Sequence, residues 1–274
     1  VYADRRGKRQ EGLHMSIYDK FSERSFRLDG KVAVVTGANM GLGVAYATAL
    51  AKMGADIFIP HYTGDVAEVE ELIEKEGRRV AFLQGDLSDA GYRDRIVDRC
   101  LEVYGRLDIL INNAGTNKFA PPQEFKDEDF ARVVEVNLMS YYYLGHKAAL
   151  QMIRQGGGKI INVGSVLSFT ADSNCPSYIV AKHGITGLTR SFANDLGKYN
   201  IQCNGIAPGF FATEVNAPLR ADPGFGAKIT NRIAAGHWGE VSDLMGLAVF
   251  LASPASDYMN GVMIPIDGGF LCTL

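Results

Sequence analysis

Cysteine, histidine and net charge are all scarce, and each scarcity removes a class of function. Four cysteines, Cys100, Cys175, Cys203 and Cys272, lie far apart with no Cys-x-x-Cys pair. That spacing excludes the disulfide framework of a small secreted domain and predicts a reducing, cytoplasmic setting. The five histidines form no His-x-x-x-His or similar pairing, so no catalytic metal is expected. No apolar run reaches the length of a membrane-spanning helix. The net charge of −3 offers nothing to nucleic acid or to an anionic membrane surface. Val1 to His14, ahead of Met15, is basic and polar and lacks the apolar core of a signal peptide. It reads as an expression remnant or a disordered arm, within an N-terminal extension over 1–27. No linker rich in Pro, Gly or Ser divides the remainder, and no internal repeat is evident.

What is present is a core-forming composition, 47% hydrophobic against 22% charged, and a regular alternation from Lys31 onward. Short β-branched runs alternate with longer helical ones. Val32–Val35 precedes Leu42–Met53, Asp56–Ile59 precedes Val66–Glu76, and Val80–Gln84 precedes Arg93–Tyr104. Leu107–Ile111 then leads into one long helix over Asp127–Arg154, and Lys159–Val163 into Tyr178–Lys198. Ile201–Ile206, a long irregular stretch, Ser242–Ala252 and Val262–Ile266 complete the chain. The runs are apolar almost throughout, as strands covered on both faces must be. The alternation predicts βαβ units and a single doubly wound, Rossmann-like α/β domain over 28–274, with a seven-stranded parallel sheet flanked by helices.

Polar and glycine residues gather at the carboxyl ends of the predicted strands, where open α/β sheets bind ligands. The first strand runs into Thr36-Gly37-Ala38-Asn39-Met40-Gly41-Leu42-Gly43, spaced G-x-x-x-G-x-G and opening a helix. Glycines there let a pyrophosphate approach backbone N–H groups at the positive end of the helix dipole. The second strand ends at Pro60-His61-Tyr62-Thr63. It carries neither an acid for the ribose hydroxyls nor, at Met40, His61 or Tyr62, a cation for a 2′-phosphate, which favours NAD over NADP. Asp65 is read either as a substitute acid or as a helix cap. Asp86, followed by Leu87, is read either as an acceptor for the adenine amino group or as a cap. Asn112-Asn113-Ala114-Gly115 closes the fourth strand, and Ser165 follows the fifth. Asn137 sits inside the long predicted helix against its own propensity, which suggests a task; a solvated surface residue is the alternative.

Pro176-Ser177-Tyr178-Ile179-Val180-Ala181-Lys182 then begins a long helix, with Pro176 suited to its first turn. Tyr178 and Lys182, four apart, project from one face. For a phenol to act as a base near neutrality its pKa must fall by roughly 2–3 units, about 3–4 kcal/mol. An ammonium about 4 Å away supplies about 4 kcal/mol at an effective dielectric near 20. The pair therefore suits a tuned general acid/base, although Tyr-x-x-x-Lys alone is common on ordinary helix surfaces.

Together these motifs, with Pro208-Gly209 and Asp267-Gly268-Gly269, resemble the short-chain dehydrogenase/reductase family over about residues 28–271. The nearest resemblance is to its sugar-acid branch of gluconate and deoxygluconate dehydrogenases. It rests on Gly158 to Asn162, Ser177-Tyr178, Ser242 to Gly246, and Phe250 to Gly261. The resemblance implies an oxidoreductase interconverting a keto and a hydroxy group on a sugar acid such as 2-keto-3-deoxy-D-gluconate or gluconate. It implies that Tyr178 moves a proton to or from the substrate oxygen, which Ser165 also binds. Lys182 would lower the Tyr178 pKa and hold the nicotinamide ribose. Asn137 would order a water beside Lys182, and Thr213 would bind the carboxamide. A homotetramer is implied as well, and Tyr141-Tyr142-Tyr143 is read as core or interface.

The segment 210–236, with Pro218, Pro223, Gly224 and Gly226, reads as a lid over the substrate. Phe210 would line it. Lys118 is the first candidate for the substrate carboxylate, ahead of Arg220, Arg232 and His237; Trp238 reads as packing. Asn174 stands where the sugar-acid relatives often have Arg, which leaves the exact substrate open. Two other readings remain: a 3-oxoacyl or other carbonyl reductase on the same scaffold, and a module that senses NAD(H) without turnover, against which the intact Ser165, Tyr178 and Lys182 argue.

Overall fold

Seven apolar segments pair in parallel to form the sheet: β1 (Val32–Val35), β2 (Asp56–His61), β3 (Val80–Gln84), β4 (Ile109–Asn112), β5 (Gly158–Val163), β6 (Ile201–Pro208) and β7 (Met263–Ile266). The computed structural model describes residues 17–214 and 216–273. The arm expected over 1–14 lies outside the described residues. The strand order is β3-β2-β1-β4-β5-β6-β7, so the winding reverses between β1 and β4. That reversal opens a crevice at the carboxyl ends of the two strands, where such sheets bind ligands.

The strands are apolar at consecutive positions because both faces are covered. Ala33, Val35, Ile109, Ile111, Ile161 and Val163 join a core cluster with α1 (Gly41–Lys52), α2 (Ala67–Glu74) and α9 (Met245–Ala252). Val32, Val34, Leu110 and Ile160 point the other way, to α3 (Ala90–Tyr104) and α5 (Ser140–Gln155). Two buried amides set where the next helix sits. Asn112 donates to Asn162 Oδ1 (3.0 Å), and Asn162 donates to Thr189 Oγ1 (3.0 Å) on α6 (Pro176–Leu196). Left unpaired at that depth, each amide would cost about 1–3 kcal/mol.

Two expected elements differ from the sequence reading. The single helix over Asp127–Arg154 is divided into α4 (Asp127–Val134), a π-helical turn (Glu135–Met139) and α5. The cause lies at Asn137, which is fully buried and turns its amide inward instead of toward solvent. One wide turn accommodates that choice, as π-bulges commonly do near functional sites. The stretch over 210–236 is also not irregular. It contains α7 (Ala217–Ala221) and α8 (Pro223–Arg232), the latter capped by Asp222 accepting from Gly224 and Phe225 N–H groups. A third cluster, Val166, Ile229, Ile233, Trp238 and Phe270, packs α8 against the main body. Trp238 is buried there and donates Nε1–H to Thr230 Oγ1 (3.1 Å), which is the packing role expected of it. Among the described residues, no helix is long and apolar enough to cross a membrane.

Candidate active site

The crevice between β1 and β4 widens into a cleft of about 580 Å³. Every residue predicted for cofactor binding lines it except Gly43, which lies beneath the glycine turn. The turn is held from both sides. Thr36 Oγ1 accepts the N–H groups of Asn113 (2.9 Å) and Ala114 (3.0 Å), and Asn113 Nδ2 donates back to Thr36 O (2.9 Å). Asn39 Nδ2 donates to Thr63 O (2.7 Å), tying the turn to the end of β2. At Gly43, a Cβ would stand 2.4 Å from Gly37 O and 2.6 Å from Ala38 Cα, so only glycine lets the first turn of α1 pass so close. These features fit a dinucleotide. His61 lines the cleft as well, and its buried Nδ1 has no hydrogen-bond partner among the described residues.

At the other end, α6 carries Tyr178 and Lys182 into the cleft on one face, beside Ser165. Ser165 Oγ accepts the Leu167 N–H (3.1 Å) and lies close enough to the Tyr178 hydroxyl to favour its ionised form. Lys182 is buried and donates Nζ–H to Val163 O (2.7 Å). Its Nζ lies 5.4 Å from the Tyr178 ring centre and 5.8 Å from that of Tyr141. Tyr141 is core: fully packed, it donates to Ala114 O (3.1 Å), whereas Tyr142 and Tyr143 are exposed.

The electrostatics differ from the sequence expectation. Burial pushes the Lys182 ammonium down to about 7. Burial likewise raises the Tyr178 hydroxyl, which the Ser165 hydrogen bond only partly offsets. Lys182, whose ammonium donates to the Val163 carbonyl, therefore does not offset the burial of Tyr178. Asn137 is not the solvated alternative. Its Oδ1 accepts the Thr116 N–H (2.8 Å) and its Nδ2 donates to Thr116 O (2.8 Å), fixing the loop after β4 along the cleft.

The two acids of the adenosine end resolve differently. Asp65 is a cap, accepting from Val66 N (2.7 Å) and Ala67 N (3.0 Å) at the start of α2. Asp86 is not, since Asp89 caps α3 by accepting from Tyr92 N–H (2.6 Å). Asp86 instead accepts from Ser88 N–H (2.8 Å) and from Arg132 Nη2 (2.7 Å). Burial alone would raise the Asp86 carboxyl; these hydrogen bonds and the Arg132 charge outweigh it and hold the group below the usual carboxylate range. Arg132, on α4, lines the cleft and was missed in the sequence. Met40, His61 and Tyr62 supply no cation, as read from the sequence, but the Arg132 guanidinium lies 6.0 Å from the Tyr62 ring, brought there by the fold from 70 positions along the chain. Val136, four residues on from Arg132, also lines the cleft, and that helical spacing was the available signal.

The predicted substrate residues divide. Ser165 and Tyr178 line the cleft; Lys118, Phe210 and Arg220 do not. Lys118 is half-exposed and 3.9 Å from Asp129, too loose to count as a firm ion pair. Phe210 packs on Trp238 and Phe270, and Arg220 lies exposed on α7. Of the weaker candidates, Arg232 covers the Phe270 ring at 4.2 Å, and His237 Nδ1 contacts Trp238 O at 2.9 Å. Asn174 adopts φ 64°, a left-handed conformation that Asn tolerates better than Arg.

Comparison with known proteins agrees with this geometry. Residues 31–224 match the short chain dehydrogenase family. The chain is 45% identical over 259 residues to the uncharacterized oxidoreductase YgcW of Escherichia coli K12, covering 94% of this chain and 99% of that protein. It is 44% identical over 248 residues to the 2-dehydro-3-deoxy-D-gluconate 5-dehydrogenase of the same organism, covering 90% and 98%. The crystal structure of a gluconate 5-dehydrogenase from Burkholderia cenocepacia, in complex with NADP and tartrate, superposes with a TM-score of 0.86 at 36% identity, covering 92% of this chain and 99% of that one. The glycine turn, the strand order and the Ser165–Tyr178–Lys182 cluster thus belong to a member of the short-chain dehydrogenase family, an oxidoreductase of CH–OH groups that uses a nicotinamide cofactor.

Proposed function

We propose that this chain interconverts a keto and a hydroxy group on a gluconate- or deoxygluconate-type sugar acid, with NAD(H) preferred over NADP(H). The observation that carries the reaction is that Ser165, Tyr178 and a buried Lys182 are brought together in the lining of one cleft. The substrate class is supported by what the relatives are named for, 2-dehydro-3-deoxy-D-gluconate and gluconate. In the direction of reduction, Tyr178 gives its proton to the substrate carbonyl oxygen; in oxidation it takes the hydroxyl proton. Ser165 shares that oxygen, its Oγ oriented by the Leu167 N–H. As Tyr178 gives up its proton, a protonated Lys182, its Nζ 5.4 Å from the Tyr178 ring centre, attracts the charge that forms on the phenolate. An amine poised at about 7 can also pass that proton onward at neutral pH. When bound, the nicotinamide supplies or accepts the hydride.

Preference for NAD(H) is supported by the state of Arg132, whose charge is already matched by Asp86. The helices over 210–236 are read as the cover of the substrate, and Lys118, a cation of the loop after β4 only loosely paired with Asp129, as its carboxylate partner. The exposed Tyr142, Tyr143 and Leu150 of α5 and Val180 of α6 offer the apolar faces that a homotetramer would bury. The test is a fluorescence assay with 2-keto-3-deoxygluconate, 5-ketogluconate, gluconate and an acetoacetyl thioester, each with both cofactors. Turnover of a sugar acid with NAD(H) is expected; turnover of the thioester alone would replace this reading with that of a 3-oxoacyl reductase.

A further inference from the structure

We propose that Asn174 is a positioning residue: its left-handed backbone clips the loop after β4 to the start of α6, and so sets the substrate side of the cleft against Tyr178. The loop has two backbone anchors. Thr116 is held at one end by the Asn137 amide, and at the other the Ala120 N–H donates to Asn174 O (3.0 Å). Between them lie Asn117, Lys118 and Phe119. Thr116 and Asn117 line the same cleft as Ser165 and Tyr178. The Lys118 N–H turns back to Asn117 Oδ1 (2.8 Å), a bond within the loop that ties it to nothing else. Released at Ala120, the loop would hang from Thr116 and the loose pairing of Lys118 with Asp129.

The chain enters α6 through a segment with little freedom. Pro176, the first residue of the helix, has its φ fixed by its ring, and it keeps Cys175 out of the helical region, at φ −138°. Cys175 is also buried, its Sγ 3.8 Å from Asp172 O. The turn that meets the loop is therefore made at Asn174, at φ 64°. The Asn174 side chain is exposed and makes no hydrogen bond among the described residues. What the position uses is the backbone conformation, which Asn enters more readily than other residues with a Cβ and which a β-branched residue resists. Asn174 is thus both the last free joint before the helix and the acceptor for the loop. Tyr178 follows within the first turn of α6, so the clip joins the loop to the helix that carries the proton-transfer group.

The proposal rests on the reading of this cleft as a sugar-acid site, so one of its two readouts needs no substrate. Asn174→Val and Asn174→Gly are compared with the unaltered chain. Hydrogen exchange is read residue by residue in the loop, where Pro121 and Pro122 carry no N–H and leave Ala120 as the last exchanging amide before Gln123. Kinetics use 2-keto-3-deoxygluconate with NAD and 5-ketogluconate with NADH, and NADH is titrated by fluorescence. In Asn174→Val the Ala120 N–H should exchange at least about tenfold faster, while Thr116, held by Asn137, keeps its protection. KM should rise at least about fivefold, with kcat and NADH affinity within about twofold, because Ser165, Tyr178 and Lys182 are untouched. Asn174→Gly, which adopts the same conformation without strain, should recover most of both losses. Unchanged exchange at Ala120 in Asn174→Val would overturn the proposal. So would a glycine variant as impaired as the valine one, which would assign the role to the amide, or faster exchange with unchanged KM. An equal loss of NADH affinity would mark general damage to the cleft and overturn it too. If the unaltered chain turned over neither acid, the proposed function would fall, and the clip would stand or fall on the exchange alone.

Discussion

Replacing Asn137 with alanine tests how the π-turn supports the active site. The Asn137 side chain is fully buried and makes a reciprocal pair with one residue: Thr116 N–H to Oδ1 at 2.8 Å, and Nδ2–H to Thr116 O at 2.8 Å. Alanine would strand a backbone donor and a backbone acceptor together. Each orphaned group costs about 1–3 kcal/mol, and a water entering the space vacated by the amide would recover part of it, so about 2–4 kcal/mol is expected. Against a total stability of about 5–15 kcal/mol the protein should still fold. At about 2–4 °C per kcal/mol for a domain near this size, the melting temperature should fall by about 5–15 °C. Thr116 lines the cleft, so kcat should fall as well, because the loop after β4 loses its only side-chain anchor on the π-turn among the described residues. Asn137→Asp keeps the acceptor for Thr116 N–H but sets a carboxylate against Thr116 O, so it should not rescue. Urea denaturation with steady-state kinetics reads both effects. A stability loss under about 1 kcal/mol with unchanged kcat would refute the reasoning, since it would mean the Thr116 groups find other partners without cost.

Gly43→Ala places a Cβ 2.4 Å from Gly37 O, and overpacking of rigid backbone costs about 1–3 kcal/mol; dinucleotide affinity should fall at least about tenfold, and normal binding would contradict the tight passage of α1 under the glycine turn. Gly41→Ala meets nothing within 4 Å but must hold φ +56°, costing about 1–2 kcal/mol, so differential melting should show strain without a steric block. Lys182, with its ammonium pushed from 10.5 to about 7 by burial, holds one proton fewer in the folded than in the unfolded chain between those values. Stability from this group therefore rises with pH across that window, by up to about 1.4 kcal/mol per unit; Lys182→Met should flatten the slope, and a steeper slope would reverse the assignment. Lys118→Ala should raise KM for a keto sugar acid more than for an uncharged ketone; equal effects would remove Lys118 as the carboxylate partner.

The sheet was legible because both faces of each strand are covered, so Val32–Val35 stands out as an unbroken apolar run and Lys159–Val163 as a mostly apolar one between helical stretches. The glycine turn and the Tyr178/Lys182 face were legible because each is local, fixed by a few residues of one strand end or one helix. What failed was long-range or depended on competing partners. Arg132 reaches the cleft only through the packing of α4, and no local rule places it beside Tyr62. Lys182 was expected to act on Tyr178 from one turn away, but its Nζ–H is donated to the carbonyl of Val163 on β5. Asn137 was flagged by its poor helix propensity, yet that conflict could not reveal that the helix would widen into a π-turn around it.

The direct test of the central claim is Tyr178→Phe, which removes the hydroxyl oxygen that Tyr178 brings to the cleft beside Ser165 and leaves the ring in place. NADH titration by fluorescence and single-turnover kinetics with the best sugar acid would be run on the same preparation. Cofactor affinity within about twofold of the unaltered protein, with kcat lowered at least about a thousandfold, is the predicted result. A variant that binds NADH normally and retains more than a few per cent of kcat would show that the proton moves through some other group.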